Sequence, residues 1–147
     1  MTLTPGNFYH VGIVVPDIDS AAAGLTATAG YTWTKPVEAT MSVATDAGVG
    51  DMAFKFVYSM QAPHLELIQE VPGTIWAASA HHLGYWCDDL EATAAALEAA
   101  GYRLEARPAG DTLRAFAYYL DPNGVRIEII DRASFPDWPG FLAAMAP

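Results

Sequence analysis

"HHLGYWCDDLEA", residues 81–92, rewrites a phrase already present at residues 9–21, "YHVGIVVPDIDSA". Each copy sets a His, an apolar residue and a Gly before an apolar run, then closes on Asp, an apolar residue and an acid. His10, Gly12, Asp17 and Asp19 align with His82, Gly84, Asp89 and Glu91 at a constant offset of 72 (82 − 10). Downstream, "TAGY" with Gly30 matches "AAGY" with Gly101, and "HLELIQ" at 64–69 matches "RIEIID" at 126–131, setting Glu66 against Glu128. That last offset is 62 (128 − 66), so the first copy carries ten more residues in its middle. Landmarks that keep their order over such distances mark an internal duplication.

Each copy reads as a β-α-β-β-β module. "FYHVGIVV" is a strand, rich in β-branched residues and bounded by Pro16. "DIDSAAAGLTATAG" is an Ala-rich helix entered through Asp17 or Asp19 and stopped by Gly30. "YTWTKPVEATMSVAT" and "DMAFKFVYSM" are extended runs around the turn-rich "DAGVG", and "HLELIQEV" closes the module. In the second copy "HHLGYWC" is the strand. "DDLEATAAALEAAG" is the helix, with a capping box expected between Asp88 and Glu91. "YRLEARP", "TLRAFAYYL", a "DPNG" turn and "VRIEIID" complete it. The first module spans about 7–70, the second about 80–131, and a tail, 132–147, packs a short helix through Phe135, Trp138, Phe141 and Leu142. The length suits one domain over 1–147.

Helices cover only one face of such a sheet. The expected fold class is therefore α+β: two tandem βαβββ modules forming a curved eight-stranded, barrel-like sheet around a metal-binding cleft, helices outside. Strand alternation assigns the faces. His10, Gly12 and Val14 share the inward face of the first strand, and the β-branched Val11, Ile13 and Val15 suit the helix side. By the same count His82, Gly84 and Trp86 point inward, while His81 and Cys87 do not. His64 and Glu66, and Arg126 and Glu128, face inward on the closing strands. Glu is seldom buried unless paired or metal-bound. Two imidazoles and two carboxylates, His10, Glu66, His82 and Glu128, suit a divalent transition metal. Their mixed donors do not choose among zinc, nickel, cobalt, manganese and iron.

Bulk properties narrow the partners. Net charge is −10 with seven basic residues, none clustered, which speaks against nucleic acid and against strongly anionic ligands. No Gly-rich phosphate loop precedes a helix, and no apolar run reaches membrane-spanning length. One cysteine, no visible signal peptide and no basic leader make the cytoplasm the expected location.

Four segments, "HVGIVVPDID", "HLELIQ", "HHLGYWCDDLE" and "DPNGVRIEII", carry a resemblance. In this order they are similar to the signature segments of the vicinal oxygen chelate superfamily. That group includes glyoxalase I, methylmalonyl-CoA epimerase, extradiol dioxygenases and the bleomycin- and fosfomycin-resistance proteins. The resemblance covers nearly all of residues 7–131 and leans toward the glyoxalase I and methylmalonyl-CoA epimerase-like branch. It implies paired βαβββ modules around a metal, with His10, Glu66, His82 and Glu128 at the ligand positions, and a homodimer.

The expected activity is that of a metal-dependent lyase or isomerase of the glyoxalase or epimerase type. A small carbonyl substrate forms an enolate while a glutamate moves the proton. Glu66 and Glu128 are the candidate base and acid, Glu128 being slightly favoured as base. His64, Arg126, Trp86, Phe56 and Tyr118 are candidate substrate contacts, with Phe54 and Tyr119 as further pocket or core aromatics. Few basic residues suit a neutral or modestly charged, partly apolar carbonyl compound rather than a coenzyme A or glutathione adduct. Two alternatives stand beside this reading. One is a bleomycin-resistance-type protein that sequesters an apolar or aromatic compound. The other is an extradiol-type dioxygenase, in which Glu66 would fill a position that chemistry needs open.

Overall fold

The structure, a computed structural model, describes residues 3–147. Strands and helices follow in the order β1 (Phe8–Val15), α1 (Ile18–Ala29), β2 (Val37–Thr45), β3 (Gly48–Tyr58), β4 (His64–Gln69), β5 (Ser79–Cys87), α2 (Leu90–Ala99), β6 (Arg103–Pro108), β7 (Phe116–Leu120), β8 (Arg126–Asp131) and α3 (Trp138–Ala144). The βαβββ order thus occurs twice and a short helix ends the chain. Hydrogen-bonded neighbours run β1-β4-β3-β2-β6-β7-β8-β5, a closed, barrel-like eight-stranded order. No described helix is long and apolar enough to cross a membrane.

Contacts divide the chain into two compact units. One comprises 10–40, 53–81 and 137–147; the other comprises the residues up to Tyr9, 41–52 and 82–136. In the first, α1 lies on β1, β3 and β4. Asp17 caps the helix by accepting from the Ser20 N–H at 3.2 Å. Gly30 ends it in the left-handed conformation, φ 78°, which a side chain would resist. Ile18 from the helix meets Val57 and Leu67 from the strands, with Ile13, Val15 and Leu25 around them. Ile13 and Val15 are residues that alternation sends to the helix side.

In the second unit α2 packs Leu90, Ala94 and Leu97 against Cys87, Ala117, Tyr119, Ile127 and Ile129. Its cap is Asp89, which accepts from the Ala92 N–H at 2.9 Å. The capping box expected between Asp88 and Glu91 does not form, because both carboxylates have other partners. Asp88 pairs with Arg132 at 2.9 Å, and Glu91 accepts from the Leu113 N–H. Burial pushes the Cys87 thiol up to about 11, against an opposing hydrogen bond from Thr93. In the "DPNG" turn the Asp121 carboxylate accepts from the N–H groups of Val125 and Asn123, which lowers its pKa.

Candidate metal half-sites

Three strands of the first unit build one half-site. In the parallel β1–β4 ladder His10 stands beside His64 and Gly12 beside Glu66. In the antiparallel β3–β4 ladder Tyr58 stands opposite Glu66. Directly paired residues share a face, so Gly12, Glu66 and Tyr58 form one row across the sheet. Glycine at position 12 leaves the flank of Glu66 without a neighbouring side chain. His10 is 0% exposed and Glu66 6%. His10 Nε2 lies 3.5 Å from Glu66 Oε1, and the Tyr58 ring meets the imidazole edge-on at 5.7 Å and 83°.

The second unit repeats the arrangement. Gly84 stands beside Glu128 in the parallel β5–β8 ladder, and Tyr118 opposite Glu128 in the antiparallel β7–β8 ladder. His82 Nε2 lies 3.3 Å from Glu128 Oε1, both residues buried, and Tyr118 meets the imidazole edge-on at 5.1 Å and 89°. Two ligands about 2.1 Å from one ion at angles of 90–109° sit roughly 3.0–3.4 Å apart. The His82–Glu128 separation of 3.3 Å falls in that range and the His10–Glu66 separation of 3.5 Å just above it, and the donor types suit a divalent transition metal.

The remaining candidates fall in several places. His64 is tied by Nδ1 to the Ser59 carbonyl at 2.9 Å. A carbonyl only accepts, so Nδ1 carries the hydrogen. Arg126 is gripped by Glu105: Nε reaches Oε2 at 2.6 Å and a terminal nitrogen reaches Oε1 at 3.2 Å. Trp86 stacks on Tyr9 at 3.7 Å and 8°, with Phe135 and the Arg132 guanidinium also against it. Phe56 packs on Tyr58, and Phe54 on Trp76. Tyr119 is not a pocket residue. It lies on the helix side, where its hydroxyl donates to Glu98 at 3.1 Å. Burial, then that carboxylate, raises its pKa.

Two residues escaped the sequence reading. Tyr58 was legible as the partner of Tyr118 only once the β3–β4 and β7–β8 registers were known. Glu105 sits where the β6–β7 register shifts between Leu104 and Ala106. By alternation it shares a face with Arg103, whose partner Leu120 also pairs with Arg126, so the strand pairing is what reveals its partner.

The profile of a family described as the Glyoxalase/Bleomycin resistance protein/Dioxygenase superfamily matches residues 9–119. Among curated proteins the chain is similar to the uncharacterised protein YaeR of Escherichia coli (strain K12). The two are 26% identical over 125 residues, covering 84% of this chain and 95% of that one. Among solved structures it is similar to methylmalonyl-CoA epimerase from Mycobacterium tuberculosis, with TM-score 0.60 and 20% identity over 88% of this chain and 91% of that one. A Streptomyces coelicolor methylmalonyl-CoA epimerase variant in complex with 2-nitronate-propionyl-CoA is also similar. Its TM-score is 0.60, with 16% identity over 85% of this chain and 93% of that one. At these identities the structural likenesses speak for a shared fold.

Proposed function

The chain belongs to the Glyoxalase/Bleomycin resistance protein/Dioxygenase superfamily, and on that premise we propose that it is a metal-dependent isomerase, epimerase or lyase acting beside the carbonyl of a small substrate. His10, Glu66, His82 and Glu128 hold the ion in this reading. The observation that carries it is the matched pair of half-sites: a buried imidazole nitrogen beside a buried carboxylate oxygen, 3.5 Å apart for His10 and Glu66 and 3.3 Å apart for His82 and Glu128.

When bound, a divalent ion polarises a carbonyl and steadies the negative charge left when the adjacent C–H loses its proton. The chain supplies the rest. A glutamate Oε takes the proton, and the same or the second glutamate returns one to another carbon or to the other face. Glu128 is the favoured base and Glu66 its counterpart. Tyr58 and Tyr118 hold the two imidazoles edge-on and limit their rotation.

Two of the similar structures are named for methylmalonyl-CoA, whose coenzyme carries several phosphate charges. In this chain every arginine already donates to an acceptor of its own. Arg103 reaches Asp46, Arg107 the carbonyls of Pro108 and Gly110, Arg114 the Ala109 carbonyl, Arg126 Glu105, and Arg132 Asp88. This favours a substrate of modest charge without a polyphosphate tail.

Elemental analysis of the purified protein, followed by solvent deuterium exchange into a panel of α-carbonyl compounds, tests the proposal. About one divalent ion per chain is expected, with exchange that Glu128→Gln slows by roughly 10²-fold or more. Absence of both metal and metal-induced thermal stabilisation would overturn it. Tight ligand binding without exchange across the panel would identify a sequestering protein instead. Iron with oxygen uptake would identify a dioxygenase.

A further inference from the structure

The two half-sites match in their ligands and differ in what stands beside them. Two residues before Glu128 the second unit has Arg126, locked to Glu105 by two hydrogen bonds. Two residues before Glu66 the first unit has His64, and the Trp138 ring meets it edge-on at 5.7 Å and 87°. Trp138 also meets Tyr58, the ring that borders His10, at 4.8 Å and 90°, and stacks on Phe141 at 5.5 Å and 20°. One flank is an ion pair and the other is aromatic.

The aromatic flank is built, not incidental. Helix α3, "WPGFLAA", contains no charged residue. Asp137 caps it by accepting from the Gly140 N–H at 3.0 Å, and a methyl group at position 140 would run into that carboxylate. The far end is anchored where the Lys35 N–H donates to the Met145 carbonyl at 2.6 Å. Both ends of the turn that presents Trp138 are thereby fixed. Tyr58 stands opposite Glu66, and His64 lies on the same alternating face. So α3 covers the ligand-bearing face of these strands, whereas α1 covers the other.

We propose that α3 is the wall on which an aromatic part of the substrate rests, and that Trp138 is the specificity-determining residue. The inference rests on the metal reading and narrows it to α-carbonyl compounds with an aromatic or bulky apolar substituent.

Acetohydroxamate and benzohydroxamate share one oxygen-chelating head and differ in the substituent, so their affinities for the metal-loaded protein isolate the wall. The expected wild-type result is a preference for benzohydroxamate of about tenfold over that shown by the free ion, the scale of a well-formed aromatic contact. Trp138→Ala should bring the preference within about twofold, read as the ratio of the two affinities in metal-loaded protein. Trp138→Phe should keep most of it. If Trp138→Ala does not fold, Phe141→Ala replaces it, and a partial loss of preference is then expected. A wild-type preference near that of the free ion overturns this inference alone. So does a preference that survives Trp138→Ala, or Phe141→Ala in its place. Wild-type protein that holds no metal overturns the metal reading and this inference with it.

Discussion

Glu105→Gln separates a structural from a substrate-binding role for Arg126. The native pair makes two charge-assisted hydrogen bonds, 2.6 and 3.2 Å, with the arginine and glutamate side chains only 19% and 7% exposed. Glutamine keeps the size and one acceptor oxygen but removes the charge. Hydrogen bonds to charged groups are worth about 1.5–3 kcal/mol net, and an arginine left short of its counter-ion near the interior adds to the loss. The residual exposure of Arg126 lets water return part of it, so the expected cost is about 2–3 kcal/mol. For a chain near 150 residues that lowers the melting temperature by roughly 4–10 °C. Chemical denaturation monitored by tryptophan fluorescence reads the change directly. The double variant Glu105→Leu/Arg126→Met should recover stability to within about 1 kcal/mol of wild type, since it removes both charges together. A single-variant loss under about 0.5 kcal/mol would refute the reasoning and return Arg126 to the pool of residues available for a substrate carboxylate.

Tyr58→Phe and Tyr118→Phe keep the ring that packs against each imidazole and should leave metal affinity within about threefold of wild type; the alanine variants should lose roughly tenfold or more by competition with a chelator. Asp89→Ala should cost about 1 kcal/mol in urea denaturation through loss of the α2 cap, whereas Asp88→Ala, which breaks an exposed ion pair with Arg132, should change stability by less than about 0.5 kcal/mol. The Cys87 thiol, raised from 9.0 to about 11 in the fold, binds its proton more tightly there than in the unfolded chain. Its contribution to stability is therefore complete below pH 9 and lost as the pH rises toward 11. Cys87→Ala should show a shallower alkaline decline in unfolding midpoint over that window.

The duplicated phrase was enough to give the repeated βαβββ order, because a histidine at the same position of two strands and a glutamate at the same position of two others constrain face as well as order. Alternation also sent Ile13, Val15, Leu67, Ile127 and Ile129 to the helix side, where they pack. Period-two reading says less where two consecutive residues are both buried, as Tyr9 and His10 are, and His81 and His82. Glu105 sits at a register shift, and no period-two rule reveals its grip on Arg126. The cap of α2 was misjudged by one residue because Asp88 and Asp89 are chemically equivalent in sequence. Arg132, 44 residues downstream, decides between them. Tyr119, open between pocket and core in the sequence, lies in the core, because two adjacent tyrosines point to opposite faces and composition alone cannot phase them.

Cys87 makes this protein convenient for site-directed spectroscopy. It is the single cysteine of the chain and is 2% exposed. With the pKa at about 11, roughly one thiol in a thousand is thiolate at pH 8, while an ordinary exposed cysteine is about one-quarter ionised. A maleimide or nitroxide reagent would therefore discriminate between the buried native thiol and a new exposed one by roughly tenfold or more in rate, with no need to remove Cys87 first. Placed at the exposed Ala143 on the outer side of α3, such a label would report whether that helix shifts when metal and chelator bind.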